Sequence, residues 1–208
     1  MLKQQLCALG LAVGAALSSQ AFSADSGFYA DIGIGYAQAD LGATSGVTVD
    51  DTDTSYSLGV GYNFNKNISV EGGYLKLGKA SLAASSLSGS YSGATITATG
   101  LAASTEVDGF YLGPVFRLPI TEKVEVYGRL GAYIWEADIK ASATSLVYGG
   151  TTYAGGSVSA TENGTDAYYG IGLNYKLNDR IGVGMDWTRY DVVGVDVDNL
   201  SARLKISF

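Results

Sequence analysis

The chain contains no histidine, a single cysteine, few charged residues and, past its N-terminal segment, no long hydrophobic run. Without histidine the most common general base is missing, and with it the Ser-His and Cys-His nucleophile pairs and most zinc sites. Cys7 has no partner for an internal disulfide. Charged residues make up 16% of the 208, against roughly 25% in an ordinary soluble domain. Yet 47% are hydrophobic, so part of the chain requires a solvent other than water. The balance of 13 basic to 20 acidic residues argues against nucleic acid or an anionic membrane surface as the main partner. Beyond the N-terminal segment no stretch offers about 18 consecutive apolar residues, so no transmembrane helix is expected. Two residues are abundant instead, with 29 glycines and 15 tyrosines.

The N-terminus reads as a secretory signal. Lys3 supplies the positive start, Leu6 to Leu17 the apolar run, and Ala21-Phe22-Ser23 the small-x-small cleavage site. The run is shorter than the roughly 20 residues a spanning helix needs. The expected organisation is a cleaved signal over 1–23, taking Cys7 with it, and one domain over 24–208.

That domain alternates with period two, eight times over. Phe28, Ala30, Ile32, Ile34 and Tyr36 interleave with Tyr29, Asp31, Gly33, Gly35 and Ala37, so one face is greasy and the other small or polar. The pattern returns over 55–64, 68–74, 109–117, 126–134, 168–175, 181–187 and 200–208. Each segment has about the 10 residues that a tilted strand needs to cross a bilayer. Tight connections at Asn65-Lys66-Asn67, Leu118 to Lys123 and Asn178-Asp179 alternate with longer ones at roughly 40–53, 78–105, 138–165 and 191–198. Short periplasmic turns, long outward loops and an even strand count mark a closed barrel, and a soluble sandwich would not line its inside with glycine, serine and charge. The expected fold is all-β, an eight-stranded antiparallel transmembrane up-and-down β-barrel. Alternating stretches in the second and third long loops are expected to extend as hairpins, with ten strands as the alternative. Tyr36, Tyr62, Phe64, Tyr74, Phe116, Tyr175, Trp187 and Phe208 fall on the lipid parity near strand ends, where aromatic rings form interfacial girdles.

Inward parity collects Asp31, Glu71, Glu125 and Asp186 against Arg117, Arg129, Lys176, Arg203 and Lys205. A hairpin centred on Thr121 would set Arg117 opposite Glu125, and one centred between Gly194 and Val195 would set Asp186 opposite Arg203. Charges in so narrow a space must pair, because unpaired burial costs several kcal/mol per ion. No catalytic, cofactor or metal site is expected. The glycines of Gly33-Ile34-Gly35 and Gly170-Ile171-Gly172 precede no helix, as a phosphate loop would require. Asp50, Asp51 and Asp53 lack the spacing of a calcium loop and read as an acidic, solvated segment. Serines in the loops have no partner base, so the chain is not expected to be an enzyme.

Pro119-Ile120-Thr121, Val126-Tyr127-Gly128-Arg129-Leu130-Gly131-Ala132 and Trp135-Glu136-Ala137-Asp138 resemble the transmembrane domain of the outer-membrane protein A family. The specific wording covers about residues 110–140, and strand spacing extends the resemblance over almost the whole domain. It implies eight strands and a lumen charge network that blocks or gates passage, with Glu71, Arg129 and Asp186 at charged positions. Val115, Asn174 and Gly184 stand where further charges would be expected, which thins the network. Longer members carry a peptidoglycan-binding domain after the barrel, which a chain ending at Phe208 is not expected to share. Leu204, Ile206 and Phe208 look like the assembly signal read by the barrel-insertion machinery. The implied partners are that machinery and periplasmic chaperones during biogenesis, then outer-membrane lipid and lipopolysaccharide around a monomer. The expected role is structural and surface-exposed, with a narrow low-conductance porin or a loop-borne adhesin or receptor as rivals.

Overall fold

A computed structural model of the protein describes residues 26–41, 47–91 and 94–208; the signal segment 1–23 lies outside them. The strands are β1 (Gly27–Ala39), β2 (Val47–Asp50), β3 (Thr52–Asn63), β4 (Ile68–Tyr91), β5 (Ala94–Pro119), β6 (Val124–Tyr148), β7 (Thr151–Lys176), β8 (Ile181–Val192) and β9 (Val195–Ser207). Eight of them close a ring, each antiparallel to its sequence neighbour, with β1 pairing both β3 and β9. The ninth, β2, is a four-residue addition to the edge of β4. Cα partners followed once round the ring from Gly27 lead through Asn63, Ser69, Val115, Arg129, Gly170, Thr188 and Asn199 to Ala37. That return is ten residues beyond the start, 37 minus 27. A stagger of this size tilts the strands to the roughly 35–45° that small barrels share, and leaves an interior just wide enough for side chains.

Alternation turns Ile32, Ile34, Leu58, Val60, Leu112, Ile134, Ile171 and Leu173 outward, and each stays about half exposed or more. A continuous apolar band of this kind suits hydrocarbon, not water. Tyr36, Phe64, Tyr74, Phe116, Tyr175 and Phe208 are also exposed on this outer face.

The second and third long connections extend as hairpins, as expected, while the fourth differs from the expectation. Residues 78–105 and 138–165 are mostly not loops, because β4 to β7 run for 24 to 26 residues and carry two hairpins far beyond the apolar band. No ninth and tenth crossing is needed, since these segments continue the same strands. Both faces there meet water, so Ser/Thr pairs replace apolar ones: Ser88 with Thr97 at 2.9 Å, and Thr99 with Ser145 at 2.7 Å. The outward connection expected at 191–198 is a two-residue turn, Val193-Gly194, both at positive φ, the backbone that matches strand twist in tight hairpins. Asp53 is not merely part of a solvated acidic segment. Its carboxylate accepts the Thr54 and Lys79 amides, both at 2.7 Å, beside the bulge at Gly78, whose φ is +96°.

The tyrosines divide between the two faces. Many line the lipid face, but Tyr29, Tyr111, Tyr127, Tyr133, Tyr168 and Tyr190 are buried inside the barrel. Four of these sit directly across from a glycine in the strand register: Tyr29 with Gly61, Tyr111 with Gly73, Tyr127 with Gly172 and Tyr168 with Gly131. Trp135 likewise pairs with Gly164. The rings lie over Gly61, Gly131, Gly164 and Gly172, and the Tyr111 hydroxyl nears Gly73, so a side chain would collide: a Cβ on Gly172 would come within 2.5 Å of the Tyr127 ring, and one on Gly61 would overlap the Tyr29 ring. Aromatic cover of strand glycines compensates for their weak packing. Gly172→Val should therefore lower stability by about 1–3 kcal/mol, as overpacking does. The check is the temperature at which the compact band of unboiled protein converts to the boiled position on a gel; an unchanged temperature contradicts the ring-on-glycine packing.

Candidate functional site

Among the described residues, the barrel interior gathers the buried charged and aromatic side chains, and its contents are layered. At the end with the tight turns, Glu125 accepts from Asn174 at 3.0 Å and lies 3.7 Å from Arg117 and 3.9 Å from Lys176. Lys176 is exposed at the rim. Arg117 also donates to Asn63 at 2.7 Å and Ser69 at 2.6 Å. Lys205 makes no ion pair among the described residues; its Nζ rests 4.2 Å from the centroid of the Tyr29 ring, which Arg117 approaches at 5.1 Å.

The middle layer holds three carboxylates and two guanidinium groups, all buried. Arg203 lies 2.9 Å from Asp31, 3.0 Å from Glu71 and 2.8 Å from Asp186. The last is an ion-pair distance, although the Nε–H is not aimed at the oxygen. Arg129 reaches Glu71 at 3.5 Å and Asp186 at 3.8 Å, and donates to Tyr190 at 2.7 Å and Thr188 at 3.1 Å. Tyr29 donates to Glu71 at 2.9 Å and Tyr127 to Asp186 at 3.2 Å. These contacts join β1, β4, β6, β8 and β9 across the lumen; Glu71 and Asp186 are each shared by both guanidinium groups, while Asp31 is held by Arg203 alone, and pairing of this kind is what burial of charge demands.

The two proposed pairings meet, but not as opposite residues. The register sets Pro119 against Glu125 and Arg117 against Tyr127, so the hairpin is centred one position beyond Thr121. Asp186 faces Ser201, and Arg203 faces Gly184, because the short Val193-Gly194 turn draws the register in by two residues. Both ion pairs are diagonal contacts. Val115 and Gly184 border a void of about 30 Å³ between these two layers, near the volume of one water molecule, and Asn174 supplies an amide where a charge was expected.

Above the charges comes an aromatic layer on the inward parity, which the expected lumen contents did not include. Tyr111, Tyr133, Tyr168 and Tyr190 stack edge-on or flat with centroids 5.1 to 6.1 Å apart. The Arg129 guanidinium lies 5.6 Å from the Tyr111 and Tyr168 rings. Leu75, Leu77, Trp135, Ala137, Val192 and Val197 continue the packing toward the hairpins. On the outer wall beyond the apolar band, Lys76 pairs with Glu106, and Arg189 binds Asp198 at 2.7 Å and Asp196 at 3.2 Å. Leu204, Ile206 and Phe208 all stand on the outer wall of β9, and the Phe208 amide closes onto the Phe28 carbonyl at 3.0 Å.

The family model for the outer membrane protein beta-barrel domain matches residues 8–208. The chain is 24% identical over 217 residues to outer membrane protein A of Shigella flexneri, covering 100% of this chain and 56% of that protein. It is likewise 24% identical over 207 residues to outer membrane protein A of Salmonella typhi, covering 97% and 52% respectively. It thus spans about half the length of the curated relatives it matches. Among solved structures, the outer membrane protein OprG from Pseudomonas aeruginosa aligns with a TM-score of 0.51 at 14% identity, covering 88% of this chain and 97% of that one, a likeness of fold alone.

Removing the most connected cation should be costly. Arg203→Met leaves Asp31, Glu71 and Asp186 with only Arg129 among them, and breaking a buried ion network by one partner destabilises by about 3–5 kcal/mol. The urea midpoint of the barrel in detergent should fall accordingly, and a midpoint equal to wild type would show that Arg203 is not holding the lumen together.

Proposed function

Because the chain belongs to the outer membrane protein beta-barrel domain family and resides in the cell outer membrane, we propose that it acts as a closed structural barrel supporting envelope integrity and surface exposure. The observation that carries this reading is the filling of the lumen by two stacked layers. Arg129 and Arg203 share Glu71 and Asp186, and Arg203 also holds Asp31, and above them four tyrosines pack their rings across the lumen. An ion entering from either side would have to displace paired charges or packed aromatics. The nine lumen charges are assigned a plugging role, and no residue is assigned chemistry, since no histidine is available to activate the serines.

The apolar band supports outer-membrane lipid as the surrounding partner. The outward ion pairs around Lys76 and Arg189 lie at the height of headgroups, and lipopolysaccharide is the outer-leaflet lipid they would meet. The alternate apolar residues Leu204, Ile206 and Phe208 support recognition by the barrel-insertion machinery, with periplasmic chaperones acting before it. The tight turns face the periplasm and the long hairpins the exterior, as in outer-membrane barrels generally.

Planar bilayers test the closed reading: purified protein should give no reproducible openings, and frequent uniform openings would favour a narrow pore running past Val115 and Gly184. A second reading is favoured by the extension of β4 to β7 well beyond the membrane, which presents two hairpins for adhesion or reception. Cells expressing a variant lacking residues 81–103 should lose attachment to matrix-coated surfaces if the hairpins bind them; undiminished attachment removes this second reading.

A further inference from the structure

The two mouths of the barrel differ in kind. The periplasmic mouth is polar, lined by Asn63, Glu125, Asn174 and Lys176, whereas the extracellular mouth opens into a vestibule of about 220 Å³ walled by Leu77, Val107, Ile139, Val192 and Val197. Neither the charged plug nor the long hairpins account for an apolar wall where a barrel meets water. Buried Leu77, Val192 and Val197 belong to the same cluster as Tyr133 and Trp135, so the vestibule has a packed aromatic floor and no exit below. An apolar concavity with a polar rim is the usual form of a small-molecule site.

We propose that this vestibule binds a small uncharged apolar molecule, of the class of a medium-chain alcohol or a substituted aromatic, taken from the extracellular side. Size sets the first limit. A dry engineered cavity of about 150 Å³ takes up benzene, so this one has room for a ring with a substituent or a short alkyl chain, and no room for a folded peptide element. Charge sets the second. The rim carries Asp51 and Asp53 against Lys79, a net negative charge that disfavours a carboxylate at the mouth. Depth sets the third: the ligand stops at the aromatic layer, so the site stores or senses and does not conduct.

The test uses the full mature barrel in lipid nanodiscs with labelled Leu, Val and Ile methyl groups, titrated with 1-octanol. Saturable shifts are expected at Leu77, Ile139, Val192 and Val197. Lipid-facing Leu58, Val60 and Ile171 report simple partitioning into the bilayer and should shift linearly. The vestibule is then filled by Ala39→Phe, or by Ala103→Phe if the first variant does not give the compact gel band; the saturable component should disappear while the barrel stays folded. Octanoate should bind more weakly than octanol. Shifts that never saturate, or saturation that survives a folded filled variant, would overturn the site, and equal binding of octanoate would overturn the selectivity assigned to the acidic rim.

Discussion

Everything in this molecule depends on one constraint: a strand crossing hydrocarbon has no water to bond its amides and carbonyls, so both of its edges must be occupied by other strands. A flat sheet cannot meet that condition at its ends, and the pairing of β1 with β9 is what removes the ends here. Once eight strands close with a ten-residue stagger, the diameter is no longer free. The lumen is too narrow to be a bulk aqueous channel and too wide to be empty, so the inward residues are chosen to fill a cross-section of fixed size.

The chain fills it with two solutions, charge pairing and aromatic packing, that meet at Tyr29, Tyr127 and Arg129. Near the periplasmic end, charge neutralises charge, and the long reach of arginine lets a guanidinium serve several carboxylates on different strands. Toward the exterior, aromatic rings lie across the strand next door, and glycine directly opposite provides the space. The excess of glycine and the excess of tyrosine are therefore one feature for the inward set: Tyr29 needs Gly61, and Tyr127 needs Gly172, because two full side chains opposite each other would exceed the room available. Arg129 bridges the two regions, holding Glu71 with its charge while Tyr111 and Tyr168 lie against the flat face of its guanidinium.

Parity was the legible part of the sequence. A two-residue error in register leaves every side chain on its original face, so Asp186 and Arg203 keep the same face even though the turn joining β8 and β9 falls earlier than its expected place. Turn geometry was not legible, because Val193 at positive φ is unfavourable for a β-branched residue and nothing in the local wording announces it. The long hairpins were only half legible. Their Ser, Thr, Ala and Gly composition looks like loop, and strand identity there comes from pairing between neighbours, not from an apolar face. The aromatic layer carried a signal that went unused: Tyr29, Tyr111, Tyr127 and Tyr168 all share parity with the inward glycines, which placed them inside from the start.

The layering also explains why the ion network and the rings are arranged in this order. Water can approach from both mouths, and a buried pair is strongest where the local dielectric is low. An aromatic and aliphatic stack on the extracellular side keeps solvent from Arg129, Arg203 and their carboxylates, while Tyr29, held under Lys205 and Arg117, shields them from below. The polar layer in turn keeps the apolar stack from being the only contents of the barrel, where loosely specified packing would allow strands to shift. Each guanidinium contact demands one position of its strand, so the charges fix register and the rings fill volume, and neither layer alone would specify a single closed barrel.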